Sequence, residues 1–188
     1  MNKKYALVID MKRCVGCRTC TVACKMENNV PLGIARMRVF NPQGNLHFDK
    51  PMGSYPNLKM FWTPVPCQHC EDAPCVKNCP SGALHHRPDG IVDLDKNKCI
   101  GCRYCAWICP YDVPQFDAEA GVSDKCNMCA HRLEKGEEPM CVKCCPSRAI
   151  HFGDLNDPNS EISKLVSTRS SKVLSPEQGT HPSTHYLF

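Results

Sequence analysis

Cys99-Ile100-Gly101-Cys102-Arg103-Tyr104-Cys105-Ala106-Trp107-Ile108-Cys109-Pro110 is the stretch whose reading decides the fold. Its cysteines are separated by two, two and three residues, and a proline follows the last. A tight loop with a cysteine at every third position can turn three thiolates toward one centre, and Gly101 gives that loop room to turn. The fourth cysteine sits one turn further on and faces away from that centre. Pro110 fixes the chain as it leaves and discourages continuation of a helix.

The same arrangement recurs along the chain, so an internal repeat organises the sequence. Cys14, Cys17, Cys20 and Cys24 keep the spacing, with Gly16 in place and Lys25 where the proline would stand. Cys67, Cys70, Cys75 and Cys79 widen the middle interval and end in Cys79-Pro80. Cys126, Cys129, Cys141 and Cys145 widen it further and end in Cys145-Pro146. The spacing C-x2-C-x2-C-x3-C-P is the bacterial ferredoxin signature, in which the fourth cysteine serves the other cluster of a two-cluster module.

Seventeen cysteines in 188 residues fit either a disulfide scaffold or a metal-rich protein. Disulfides need no triplet repeat, and an odd cysteine would be left over. Zinc sites use paired C-x2-C knuckles with a long spacer. Only the group at Cys126, Cys129, Cys141 and Cys145 could pass for one, since four evenly crowded thiolates do not suit separate tetrahedral ions. Four 4Fe–4S cubanes use sixteen cysteines and leave one. The leftover is Cys144 or Cys145, and both the Cys-Pro rule and the three-residue interval from Cys141 select Cys145 as the ligand.

The formal charge of +4 counts every cysteine as neutral. Ligating thiolates and oxidised cluster cores together contribute roughly −8, which takes the loaded chain to about −4. The basic balance therefore reads as partial compensation for anionic clusters, with Lys12, Arg13, Lys96, Lys98 and Lys125 beside the cysteine runs. No basic helix or aromatic stacking platform points to nucleic acid. No apolar run approaches the length of a membrane span, and residues 6–9 are too short for a signal core. No twin-arginine pair occurs, so the chain by itself is expected to stay where it is made.

The fold class expected is α+β: two interleaved bacterial-ferredoxin-like modules of short strands and helices with many loops. Strands are expected at 5–9 and 149–152, a hairpin at 83–86 and 91–94 around Pro88-Asp89-Gly90, and helical turns near 106–108. Residues 1–29 with 119–153 form one module and residues 66–118 the other. Residues 30–65 are an inserted β/loop segment with strands near 36–40 and 58–62. Residues 154–188 are a polar tail, either disordered or laid on a partner, with Val173-Leu174 and Tyr186-Leu187-Phe188 favouring docking. With sixteen prolines and eleven glycines the apolar core is thin, so metal ligation must contribute to folding.

The chain resembles the four-cluster iron–sulfur subunits of membrane-bound molybdopterin oxidoreductases, most closely the polysulfide, thiosulfate and dimethyl sulfoxide reductase type. The resemblance rests on the cysteine groups and on Val8-Ile9-Asp10, Cys24-Lys25-Met26-Glu27-Asn28 and Lys125-Cys126-Asn127-Met128-Cys129. It continues through Ala130-His131-Arg132-Leu133-Glu134-Lys135-Gly136 and Pro176-Glu177-Gln178-Gly179-Thr180. It implies that Cys14, Cys17 and Cys20 share a cluster with Cys145, and Cys126, Cys129 and Cys141 with Cys24. It pairs Cys67, Cys70 and Cys75 with Cys109, and Cys99, Cys102 and Cys105 with Cys79. It implies a relay between a quinone-binding integral membrane subunit and a molybdopterin catalytic subunit, with no catalysis by the chain itself. Association with the membrane would be through partners, on the periplasmic face by co-export or on the cytoplasmic face. A free polyferredoxin shuttle is the alternative, disfavoured because it needs neither the 30–65 insert nor the tail.

Tyr104 and Trp107 either shield a cluster from water or pack in the core, and both roles require burial. His69 and His131 lie near clusters, but no cysteine site is open for histidine ligation. His85 and His86 read as a solvated strand face, with proton gating near a quinone as the alternative. Cys144→Ser should leave all four clusters in place, while Cys145→Ser should damage one. Equal iron content in the two variants would defeat that assignment.

Overall fold

The computed structural model describes residues 3–46 and 49–188. The chain runs twice through one pattern: strand, cysteine loop, helix, hairpin, cysteine loop, helix, strand. The first pass is β1 (Tyr5–Asp10), α1 (Thr19–Glu27), the hairpin β2 (Arg38–Phe40) and β3 (Thr63–Val65), α2 (Pro74–Lys77) and β4 (Leu84–His86). The second is β5 (Val92–Leu94), α3 (Tyr104–Ile108), the hairpin β6 (Gln115–Asp117) and β7 (Val122–Asp124), α4 (Ala130–Leu133), α5 (Met140–Lys143) and β8 (Ile150–Asp154). Then come α6 (Glu161–Thr168), β9 (Ser171–Lys172) and β10 (His185–Leu187).

The two passes interlock. β4 and β5 pair antiparallel, Leu84 opposite Leu94, across a turn in which Gly90 takes φ 82. β1 and β8 make the equivalent antiparallel pair, Ile9 opposite Ile150, from opposite ends of the sequence. Each pair therefore joins one end of the first pass to one end of the second.

β1 is buried on both faces, which its apolar run Ala6-Leu7-Val8-Ile9 permits. Leu7 and Ile9 pack with Met37, Val39, Ile91 and Met128 around the cysteine loops, while Ala6 and Val8 pack with Ile162 of α6 and Leu187 of β10. Ser160 caps α6, its hydroxyl accepting from the Ser163 N–H at 3.3 Å.

Residues 154–188, expected as a tail for a partner, are instead folded onto this chain. β10 lies parallel to β1 in a four-stranded sheet of order β8-β1-β10-β9. Tyr186 and Leu187 are buried, and the Tyr186 hydroxyl donates to the Pro64 carbonyl at 3.0 Å. The approach to β10 straps the second cysteine loop: the Ser183 N–H donates to the Gln68 carbonyl, and the Ser183 and Thr184 hydroxyls donate to the His69 and Cys67 carbonyls. Ser183 and Thr184 are polar because they bond a loop's carbonyls, which need donors once buried.

The strand expected near 58–62 is shifted to β3, and Lys59 instead makes an isolated bridge to Met52. The hairpin β6–β7 was not foreseen. It places the Gly121 carbonyl 2.3 Å from where a Cβ on Gly101 would stand, whereas a Cβ on Gly121 would meet nothing within 4 Å. Both glycines have φ near +70, so backbone strain is common to both and the collision is not. Gly101→Ala should cost about 1–3 kcal/mol more than Gly121→Ala in chemical denaturation of the loaded protein; equal costs would contradict this packing.

Candidate metal centres

One backbone feature recurs in all four cysteine loops. Two residues after the first cysteine the chain turns into the left-handed region, at Gly16 (φ 68), His69 (φ 42), Gly101 (φ 68) and Met128 (φ 56). The turn aims main-chain N–H groups back at sulfur: the Met128 N–H donates to Cys126 Sγ at 3.3 Å. Arg18 and Arg103, also left-handed, start α1 and α3. In the other two groups proline starts the helix, Pro74 at the first position of α2 and Pro139 at the cap of α5.

The helices then carry sulfur across. Cys20 and Cys24 stand four residues apart on α1, as do Cys75 and Cys79 on and just after α2, Cys105 and Cys109 on and just after α3, and Cys141 and Cys145 on and just after α5. A spacing of four is one helical turn, so each helix reaches two centres in succession. α1 packs on α5 and α2 on α3.

Four cavities result, each lined by four cysteines. The first holds Cys14, Cys17, Cys20 and Cys145. The second holds Cys24, Cys126, Cys129 and Cys141. The third holds Cys67, Cys70, Cys75 and Cys109. The fourth holds Cys79, Cys99, Cys102 and Cys105. Among the described residues no three His, Cys, Asp or Glu side chains converge on a single-ion site. The sulfurs surround volumes rather than points, which suits a cubane and not zinc. Cys144 lines none of the four cavities; its thiol rests 3.9 Å from the Thr19 carbonyl and 3.8 Å from that of Cys141.

The donor set also fits in its charge. Burial, and then the neighbouring sulfurs, push Cys20, Cys24, Cys75 and Cys126 up to about 12. Burial pushes Cys141 well above the ordinary thiol value. Thiolates crowded in this way need cationic metal between them. Polar donors already face the sulfurs. The Asn28 amide lies 3.8 Å from Cys24 Sγ and 3.6 Å from Cys129 Sγ. The Ser123 N–H donates to Cys99 Sγ at 3.5 Å, and its hydroxyl lies 3.3 Å from Cys105 Sγ. Ser81 and Ser147 stand 3.7 Å from Cys79 and Cys145. Behind Asn28, Arg36 grips buried Asp124 at 2.6 and 3.1 Å.

Several residues singled out from the sequence fall elsewhere than expected. Trp107 is 88 % and Tyr104 48 % exposed, so neither shields a cluster nor packs in the core; α3 is too short to bury a second face while its cysteines turn inward. His85 and His86 are exposed. His69 is buried, its Nδ1 accepting from the Val92 N–H at 3.1 Å. His131 bonds Glu27 at 2.8 Å and ties α4 to α1. Lys12, Arg13, Lys96 and Lys98 are exposed, and of the five only Lys125 is buried. Asn28, Ser123 and the serines of the repeated Cys-Pro-Ser at 79–81 and 145–147 were missed as neighbours of sulfur; the repetition of that tripeptide was the available signal.

Comparison with known proteins agrees with this chemistry. A family model described as a 4Fe-4S dicluster domain matches residues 58–155, and a second 4Fe-4S dicluster domain matches residues 13–84. The chain is 46% identical to a Halobacterium salinarum protein assigned as the iron-sulfur subunit of a dimethyl sulfoxide reductase, over 97% of this chain and 78% of the relative. It is 42% identical to a subunit of the sulfite dehydrogenase of Allochromatium vinosum, over 98% and 82%. It is 44% identical to the thiosulfate reductase electron transfer subunit PhsB of Salmonella typhi, over 88% and 83%. No helix among the described residues is long and apolar enough to cross a membrane. Four tetrads of cysteine and two dicluster matches lead to one conclusion: the chain belongs to the family of iron–sulfur electron-transfer subunits of such reductases and holds four 4Fe–4S clusters.

Proposed function

We propose that this chain relays electrons through its four clusters between a quinone-linked membrane subunit and a molybdopterin catalytic subunit, and does no bond chemistry itself. The observation that carries the reading is that helices α1, α2, α3 and α5 each serve two cavities, so the cavities form consecutive pairs. The pairs meet where Cys126 of the second cavity packs against the apolar cluster that contains Cys67 of the third. The order is first, second, third, fourth.

The ligands are the four cysteines lining each cavity: Cys14, Cys17, Cys20 and Cys145; Cys24, Cys126, Cys129 and Cys141; Cys67, Cys70, Cys75 and Cys109; Cys79, Cys99, Cys102 and Cys105. Cys144 is not a ligand. Residues 1–29 with 119–153 and residues 66–118 are the two interleaved ferredoxin-like modules. The chain sits at the membrane through its partners, on the periplasmic face.

Exposed apolar surface at both ends supports two partners rather than a free shuttle. Beside the first cavity, an open cleft is lined by Val15, Phe61, Trp62 and Phe188, of which Val15 is 56 % exposed. Beside the fourth cavity stand Ile100, Tyr104 and Trp107, all exposed. Contiguous exposed apolar groups mark contact surfaces. The named relatives include a dehydrogenase as well as reductases, and one wire serves either direction, since the terminal couples set the current.

Trp107→Asp should leave iron content unchanged and abolish quinol-driven reduction of the terminal acceptor, with dye-driven activity of the catalytic subunit intact. In gently solubilised membranes the unaltered chain should run in a complex far larger than its 21.0 kDa. Migration as a free monomer would contradict the proposal.

A further inference from the structure

Among the described residues, the cationic side chains lining the four cavities are Arg18 at the first, Arg36 at the second and Lys125 at the third. Two of them are already neutralised. Arg18 is paired with Asp49 at 2.8 Å, and Arg36 with Asp124 at 2.6 Å. Lys125 differs. It is 3 % exposed, and its ammonium donates to the carbonyls of Val92 and Cys126. Among the described residues it forms no ion pair. The adjacent carboxylate, Asp124, is occupied by Arg36 and approached by Lys96 at 3.7 Å.

A buried ammonium without a counter-charge is costly, and two carbonyl dipoles do not replace an anion. The nearest groups able to supply an anion are the cysteine tetrads: Lys125 lines the third cavity, and Cys126 of the second follows it in sequence and gives it a carbonyl. An all-cysteine 4Fe–4S cluster is net negative in both of its common oxidation states, and one further electron makes it more so.

We infer that Lys125 is the counter-ion shared by the clusters of the second and third cavities and that it raises the reduction potential of both. The inference rests on the ligand assignment proposed above. A fixed positive charge favours the reduced, more negative form, so the two inner clusters become better electron acceptors than the same tetrads would be alone. The charge sits at the junction of the two modules, where an electron must pass from one pair of cavities to the other. Lys125 touches neither substrate nor the reacting atoms of a catalytic site; it is a positioning residue for electrons.

The test is an EPR-monitored redox titration of the anaerobically loaded chain, comparing the unaltered protein with Lys125→Gln, which keeps donors for the two carbonyls but loses the charge. Lys125→Met is a second charge-free variant, Lys125→Arg a charge-keeping one, and Lys98→Met an exposed control beside the third cysteine loop. Both charge-free variants should keep full iron and move two of the four potentials downward by at least tenfold in the one-electron equilibrium, about 59 mV. Lys125→Arg should restore them and Lys98→Met should move none. Unchanged potentials in the charge-free variants, or an equal shift of all four, overturn the inference. Fewer than four clusters in the unaltered protein overturns the ligand assignment itself, and the inference with it.

Discussion

Sixteen cysteine sulfurs have to be delivered as four tetrads from one chain of 188 residues, and the rest of the structure follows from that constraint. A loop with cysteine at every third residue supplies three sulfurs to one centre. A helix carries a further sulfur one turn on, to the next centre. Because the fourth sulfur of each tetrad comes from another loop, no cavity can form until two distant segments meet. The β1–β8 and β4–β5 pairs hold those segments together, and α6 with β10 closes the far face of β1.

Charge is the second constraint. The protein alone disfavours thiolates at buried Cys20, Cys24 and Cys75, whose thiols burial and crowding raise. Iron supplies most of the compensation, and the chain adds the remainder with N–H and O–H donors to sulfur and with Lys125. Such groups are the means by which a protein tunes one cluster against another. Since folding is thereby linked to ligation, the apolar clusters around Leu7 and around Leu84 are built with cysteines among their own members.

Much of this was legible in the sequence because it is local. Spacing in threes, Gly16 and Gly101 within the loops, and the Pro88-Asp89-Gly90 turn each encode a short-range geometry, and each occurs where expected. What was not legible depends on contacts far apart in sequence. In the segment at 154–188 the signal is brief: Ile162, Leu165 and Val166 mark one apolar face of α6, while Ser183 and Thr184 bond the carbonyls of Cys67, Gln68 and His69, which only the fold brings near. Lys125 cannot be told from Lys98 by composition, although one is buried and the other exposed. Trp107 reads as core by type, yet it stands on a helix of one turn whose inward positions are taken by cysteine.

The claim that bears everything else is that these tetrads cage iron and sulfide. Metal and acid-labile sulfide analysis of anaerobically purified chain, with Mössbauer spectroscopy of the iron, tests it most directly. The account predicts about sixteen iron and about sixteen sulfide per chain, all in cubane environments. Colourless protein carrying zinc, or iron without sulfide, would contradict it.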